Sequence, residues 1–238
     1  MNRFYRQWCH NKHLTSFSVV VKETDLWIKA QKVLDKEAKE AVFKYRAQLE
    51  KYIKFHPEFK DAFLPLPFDP FAPKIVRQML LAAQKAGVGP MAAVAGAIAQ
   101  AVGEELLKYS KEVIVENGGD IYLKIRTPVQ IGIFAGSSLL SGKIALKLKP
   151  TEKAIAVCTS SGKIGHSFSS GQADAVTVIA EDAALADAAA TAVGNLIRKK
   201  QDITKAAQRA KNIEGVKGLI IILDKHLAIW GDIDLITI

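Results

Sequence analysis

Three short segments carry the residues best suited to chemistry. The first, CTSSGKIGHSFSSGQADAVTV from Cys158 to Val178, sets seven hydroxyls, five of them on Ser, beside one His, one Asp and three Gly. It follows an apolar run, so Thr159, Ser160, Ser161 and Gly162 read as a strand-end loop that could offer hydroxyls to phosphate or sugar oxygens. His166 is the one imidazole in this Gly/Ser-rich middle. It either caps a turn or serves as a general acid or base near neutral pH. The second segment, ENGGD from Glu116 to Asp120, is a strong hairpin turn, because Asn and Gly tolerate positive φ. Alternatively, the bare N–H groups of Gly118 and Gly119, with Asp120 beside them, let a phosphate or a planar ring approach closely. The third, ALADAAATAVGN, places Asp187 and Thr191 four apart, on one face of a helix. A carboxylate and a hydroxyl there form a hard oxygen site suited to Mg²⁺, or simply an acid near a helix start.

These segments need elements to position them. SFSVVVKETDLWIKA alternates like two short strands around a turn at Lys22–Asp25. Val33, Leu34, Ala38, Ala41, Val42, Tyr45, Leu49, Tyr52 and Ile53 then recur at helical spacing. Four prolines in LPLPFDPFAP, 64–73, make an extended connector between an N-terminal hairpin and helix region, 1–72, and a main body, 73–238, expected to carry the site. A helix runs from Pro73 to Gly87. Another, GVGPMAAVAGAIAQAVGEELLKY, is rich in Ala and Gly on every face, so something approaches its backbone closely. That is either tight packing or a ligand near its start. Further strands follow in EVIVENGGDIYLKIR, VQIGIFAG, GKIALKLK, AIAVCTS, AVTVIA and the C-terminal GLIIILDKHLAIWGDIDLITI, with helices in EDAALADAAATAVGNLIRKK and DITKAAQRAKNI. Hairpin strands interrupted by helices predict an α+β fold with a largely antiparallel sheet. Neither a strand–GxGxxG–helix unit nor a GxxxxGK[ST] loop is present.

The 238 residues are 49% hydrophobic and 24% charged, as expected of a globular domain, with a net charge of +9. Residues 1–60 hold thirteen Lys and Arg against seven Asp and Glu. A second basic cluster spans Arg198 to Lys211. Both read as solvated helix faces, since no zinc-finger, RNP or helix-turn-helix pattern accompanies them and nucleic acid is not expected. Two distant cysteines, Cys9 and Cys158, make no disulfide framework. The basic start lacks the apolar run of a secretory signal and no other run suits a bilayer, so a cytoplasmic, membrane-free protein is expected. Cys9, His10 and His13 lack a fourth ligand for zinc. The Ala/Gly-rich helices and short edge strands could support a homodimer.

Taken in order, GVGPMAAVAGAIA, VIVENGGDIYL, CTSSGKIGHSFSSGQADAVTV and ADAAATA resemble the ApbE family of flavin transferases, and more closely a short branch of that superfamily. The likeness covers about residues 85–195 strongly and the flanks more loosely. It implies an ApbE-like fold, FAD as substrate or ligand, Mg²⁺ against the diphosphate, and transfer of FMN to a protein Ser or Thr. Asp187 and Thr191 match the family's metal ligands. Gly89 to Ala92 match its Gly-x-x-Ala motif, with the Ala92 carbonyl as a third ligand. Gly118 and Gly119 match its Gly-Gly turn, and Ser160 to Gly162 its Thr-Ser-Gly loop, with Thr159 just ahead. His166 or Asp174 would take the proton of an attacking hydroxyl.

The chain departs from the family at two places. Ala93 stands where the transferases carry Lys, and the paired-His and Asp-Pro insert is missing, with His166 only four positions beyond Gly162. The same fold could therefore act on another phosphorylated heterocycle in cofactor biosynthesis, or serve as a non-catalytic binding or assembly protein.

Overall fold

The computed structural model describes residues 6, 8–10, 13–162 and 171–238. The order of elements is β1 (Cys9–His10), β2 (Thr15–Val21), β3 (Thr24–Ala30), α1 (Asp35–Phe55), the short α2 (Glu58–Asp61) and α3 (Lys74–Ala86). A 3₁₀ turn, Pro90–Ala93, leads into α4 (Val94–Leu106), and β4 (Val113–Asn117), β5 (Asp120–Lys124), β6 (Val129–Gly132), β7 (Ile144–Leu148), β8 (Ile155–Ser160) and β9 (Ala175–Ala180) follow. The chain closes with α5 (Ala183–Gly194), α6 (Asp202–Lys211), β10 (Val216–Leu223), β11 (His226–Gly231) and β12 (Asp234–Thr237).

An eight-stranded sheet, β11-β10-β9-β8-β5-β4-β3-β2, is antiparallel at every pairing. Helices cover one face: Leu26, Val115, Tyr122 and Val178 pack there with Val42, Leu80, Val102 and Ala188. A four-stranded sheet, β1-β6-β7-β12, covers the other, where Ile114, Ile121, Leu123 and Val157 meet Val129, Ile131, Leu146 and Leu148. Coverage on both faces explains why β4 and β9 are buried at every position instead of alternating. The α+β expectation holds. The N-terminal hairpin β2–β3 extends the large sheet alongside β4 and shares its core.

Packing accounts for the small residues. A Cβ on Gly96 would sit 2.2 Å from the Ala183 carbonyl oxygen, so α4 and α5 meet at backbone contact. A Cβ on Gly103 would strike the Tyr122 ring at 2.3 Å. Every residue of α5 is buried. In the basic cluster, Arg209 donates from Nη2 to the Ala86 carbonyl at 2.7 Å, capping α3 where Gly87 turns left-handed at φ 79°.

Because all neighbours run antiparallel, the β2–β3 turn, the Gly118–Gly119 turn and the end of β8 lie together at one end of the large sheet. Two glycines at φ 68° and 107° close the β4–β5 hairpin in two residues. That end of the sheet is where α1, α4 and α5 converge on it.

Among the described residues, no single helix is long and apolar enough to cross a membrane. Both cysteines are buried and unpaired.

Candidate functional site

A cleft of about 870 Å³ opens at this end of the large sheet. Strand alternation puts Ile114, Glu116 and Thr159 on the face toward the small sheet, and Asn117, Asp120 and Ser160 on the face toward the helices. All six line the cleft, so it wraps around the strand ends and touches both faces. Gly118, Gly119, Ser161, Asp187 and Thr191 also line it. Segments some seventy residues apart in sequence thus form one wall.

On the helix side, two buried acids line the cleft within electrostatic reach of one another. Asp187 sits in the middle of α5, and its Oδ2 accepts the Gly96 N–H at 2.9 Å. That bond exists because Gly96 has no side chain to hold the two helices apart. Burial raises the Asp187 carboxyl to about 7, opposed by the N–H groups of Gly96 and Ala95. Asp120 opens β5 directly opposite Cys158 of β8. Burial raises it well above the ordinary carboxylate range, and the charge of Asp187 raises it further. The Thr159 N–H donates to it and, with the adjacent Cys158 thiol, acts the other way. Asp120 Oδ1 is buried and has no hydrogen-bond partner among the described residues.

This donor set fits a hard divalent cation: two carboxylates, one with an unengaged oxygen, and the Thr191 hydroxyl on the Asp187 face of α5. Among the described residues no three His, Cys, Asp or Glu side chains gather as a metal cluster, here or elsewhere, so the third side-chain oxygen at this site would be that of Thr191. The Cys158 thiol donates at 3.5 Å to the Ala183 carbonyl, and burial with the two acids pushes it up, so it remains a protonated thiol.

On the opposite side, Glu116 organises the turn. Its Oε1 accepts the Gly119 N–H at 2.8 Å and its Oε2 the Arg6 Nε at 2.7 Å. The Thr159 and Thr177 hydroxyls lie 2.9 Å apart across β8 and β9. Asn117 donates from Nδ2 to the Ala95 carbonyl at 3.0 Å, tying the turn to the start of α4.

Several expected site residues fall elsewhere. Asp174 is 1% exposed and outside the lining; its Oδ2 accepts the Asp224 N–H at 2.6 Å and so holds the β10–β11 turn. Gly89 packs on Ala62, where a Cβ would lie 1.7 Å from the carbonyl oxygen, and lies outside the lining. Ala92 belongs to the 3₁₀ turn, and Met91, Val94 and Ala95 line the cleft in its place. Ala93 is fully buried. Gly162 donates its N–H to the Ala173 carbonyl at 3.0 Å, one residue beyond the lining. The Gly119 N–H, expected to be bare, is held by Glu116. His166 lies outside the described residues.

The family model described as AbpE bacteria matches residues 6–220. The chain belongs to the AbpE bacteria family. It is 41% identical over 221 residues to a UPF0280 protein of Methanocaldococcus jannaschii, covering 90% of each, and 40% identical over 201 residues to one of Methanococcus aeolicus, covering 82% of this chain and 81% of that one. Its fold is that of the ApbE flavin transferases. The apo flavinyl transferase ApbE of Pseudomonas stutzeri superposes with a TM-score of 0.58 at 15% identity, over 91% of this chain and 93% of that one. The flavin transferase ApbE of Vibrio cholerae gives 0.56 at 14% identity, over 91% and 96%.

Sequence reasoning missed the residues that 1–72 contributes: Arg6, Thr24, Arg46 and Leu49 all line the cleft. For Thr24 the signal was the alternation of the β2–β3 hairpin, which makes it a sheet strand pair and so brings its turn to the site; Arg46 and Leu49 come from α1 and Arg6 from ahead of β1, where spacing carries no such signal.

Proposed function

We propose that this protein is an ApbE-like enzyme that uses Mg²⁺ and acts on FAD, or a related nucleotide with a diphosphate, by FMN transfer to a protein hydroxyl or by diphosphate cleavage. The observation that carries this reading is the buried Asp120–Asp187 pair, with one unengaged carboxylate oxygen, in a cleft lined by hydroxyls and a Gly-Gly turn. Two ionised acids do not persist side by side in a dry site without a counter-charge. Asp120, Asp187 and Thr191 would hold the cation. Once bound, it neutralises the charge that builds on phosphate oxygens as a diphosphate bond breaks.

The chain's own residues do the rest. Gly118 leaves the turn without a side chain, so a phosphate can come close. Ser160 and Ser161 supply hydroxyl donors in place of charged groups. Apolar side chains line the cleft on both sides of the sheet, Val94 and Ile98 with the helices and Ile121 and Val157 toward the small sheet, and help exclude water. His166 is the remaining candidate for taking the acceptor's proton. The likeness to flavin transferases supports the choice of flavin at the level of fold.

Isothermal titration of the purified protein with FAD, with and without Mg²⁺, tests the proposal. Binding that tightens with Mg²⁺ is expected. Absence of binding in both conditions removes the flavin reading.

A further inference from the structure

A diphosphate carries negative charge at two phosphates, and the cleft is rich in acids. Asp25, Glu23, Glu50, Glu116, Asp120 and Asp187 line it, against only three cations among the described residues, Arg6, Arg46 and Lys60. Arg6 is committed. It donates from Nε to Glu116 at 2.7 Å, from Nη1 to the Asp25 carboxylate at 3.0 Å and from Nη2 to the Asp25 carbonyl at 2.8 Å. Lys60 is exposed.

Arg46 is different. It projects from α1 with 15% of its side chain exposed, and its Nε is buried without a partner among the described residues. Its other nitrogens hold replaceable partners. Nη1 donates to the Thr24 hydroxyl at 2.7 Å, and Nη2 to Glu23 at 2.6 Å and Glu50 at 2.9 Å. The Glu23 side chain is 82% exposed and that of Glu50 45%, so water can take over both carboxylates. Glu50 also keeps Lys22 Nζ at 3.0 Å.

We infer that Arg46 is a phosphate-binding residue: its guanidinium exchanges Glu23 and Glu50 for phosphate oxygens of the ligand and offers Nε as a further donor. This rests on the reading that the cleft takes a diphosphate. The planar fork of Arg suits two phosphate oxygens at once, so Lys is not an equivalent replacement.

The test is titration of wild type, Arg46→Met and Glu23→Gln/Glu50→Gln with inorganic pyrophosphate in Mg²⁺, alongside FAD. Arg46→Met is expected to weaken pyrophosphate roughly 10- to 100-fold, the loss of charge-assisted bonds. The double Gln variant keeps Arg46 but removes its competitors, and is expected to bind pyrophosphate several-fold more tightly. Because losing two negative charges favours any anion, the comparison that decides is the triple variant Arg46→Met/Glu23→Gln/Glu50→Gln: a merely structural Arg46 predicts the same tightening there, and the proposal predicts that most of it is lost. Unchanged affinity in both variants, or a wild type that ignores pyrophosphate, overturns the inference. Pyrophosphate binding without FAD binding would instead remove the flavin reading and leave Arg46 in place.

Discussion

Replacing Asp187 with Asn should stabilise the metal-free protein at alkaline pH, although it removes a proposed ligand. Asp187 is 9% exposed, and burial lifts its carboxyl to about 7 from the usual 3.8. A raised carboxyl favours the protonated form in the fold. Its contribution is complete below about pH 4 and is lost as pH rises through about 7. Ionising it in the fold therefore costs up to about 4 kcal/mol by pH 8. For a chain of this size that corresponds to roughly 8–16 °C in Tm. The figure is an upper bound, because Asp120 shares the site and the pair can keep one proton between them. Asn can still accept the Gly96 N–H, so the helix contact survives. The assay is thermal unfolding in EDTA from pH 5 to pH 8.5, repeated with millimolar Mg²⁺. Wild type should lose stability across that range in EDTA and regain it with Mg²⁺, more at pH 8 than at pH 5.5. Saturating the cation a hundredfold above its Kd adds about 2.7 kcal/mol. Asp187→Asn should make the pH profile shallower, leaving only the part that the buried Asp120 contributes, and abolish the Mg²⁺ gain. A variant less stable than wild type at pH 8 in EDTA, combined with a pH-independent wild type, would refute the reasoning.

Other substitutions read the same architecture. Gly96→Ala places a methyl 2.2 Å from a backbone oxygen and 2.9 Å from the Asp187 Cβ, so it should cost about 3 kcal/mol or more in urea unfolding and weaken Mg²⁺ binding. Gly119→Ala meets nothing nearer than 3.5 Å, but its φ of 107° is unsuited to a side chain; the expected cost is backbone strain alone, about 1–2 kcal/mol. Thr191→Val should change the unfolding free energy by about 1–2 kcal/mol at most while reducing Mg²⁺ affinity several-fold by calorimetry. Cys9 and Cys158 are buried, with Cys9 raised to about 11, so a thiol reagent at pH 8 should label both only on unfolding; fast labelling of the native protein would contradict their placement.

Much of this was legible in the residues. Apolar periodicity gave the helices, and Gly118–Gly119 marked the tight hairpin because two positive φ angles demand it. The convergence of Asp187 with the Thr159–Ser161 wall followed from motif order and resemblance, and the cleft brings them together. What stayed hidden was register. Asp120 reads as a turn residue until its pairing with Cys158 sets it under the helices, beside Asp187. Asp174 reads as an available acid at a strand start, yet the β10–β11 turn folds back on it. Gly89 and Ala92 match a motif by type, but Ala95 and Gly96, three and four positions beyond Ala92, are the backbone that meets Asn117 and Asp187. Arg46 sits on a helix face whose spacing shows only which residues are buried. Its reach to the cleft depends on where α1 lies over β2 and β3.

The central claim is that Asp120 and Asp187 together hold a divalent cation against the phosphates of a bound nucleotide. Crystals grown with Mn²⁺ and FAD test it most directly through the anomalous signal of manganese. A single peak within bonding distance of both carboxylates and of a diphosphate oxygen is the result predicted. FAD bound in the cleft with no manganese between residues 120 and 187, or manganese held elsewhere on the chain, would contradict it.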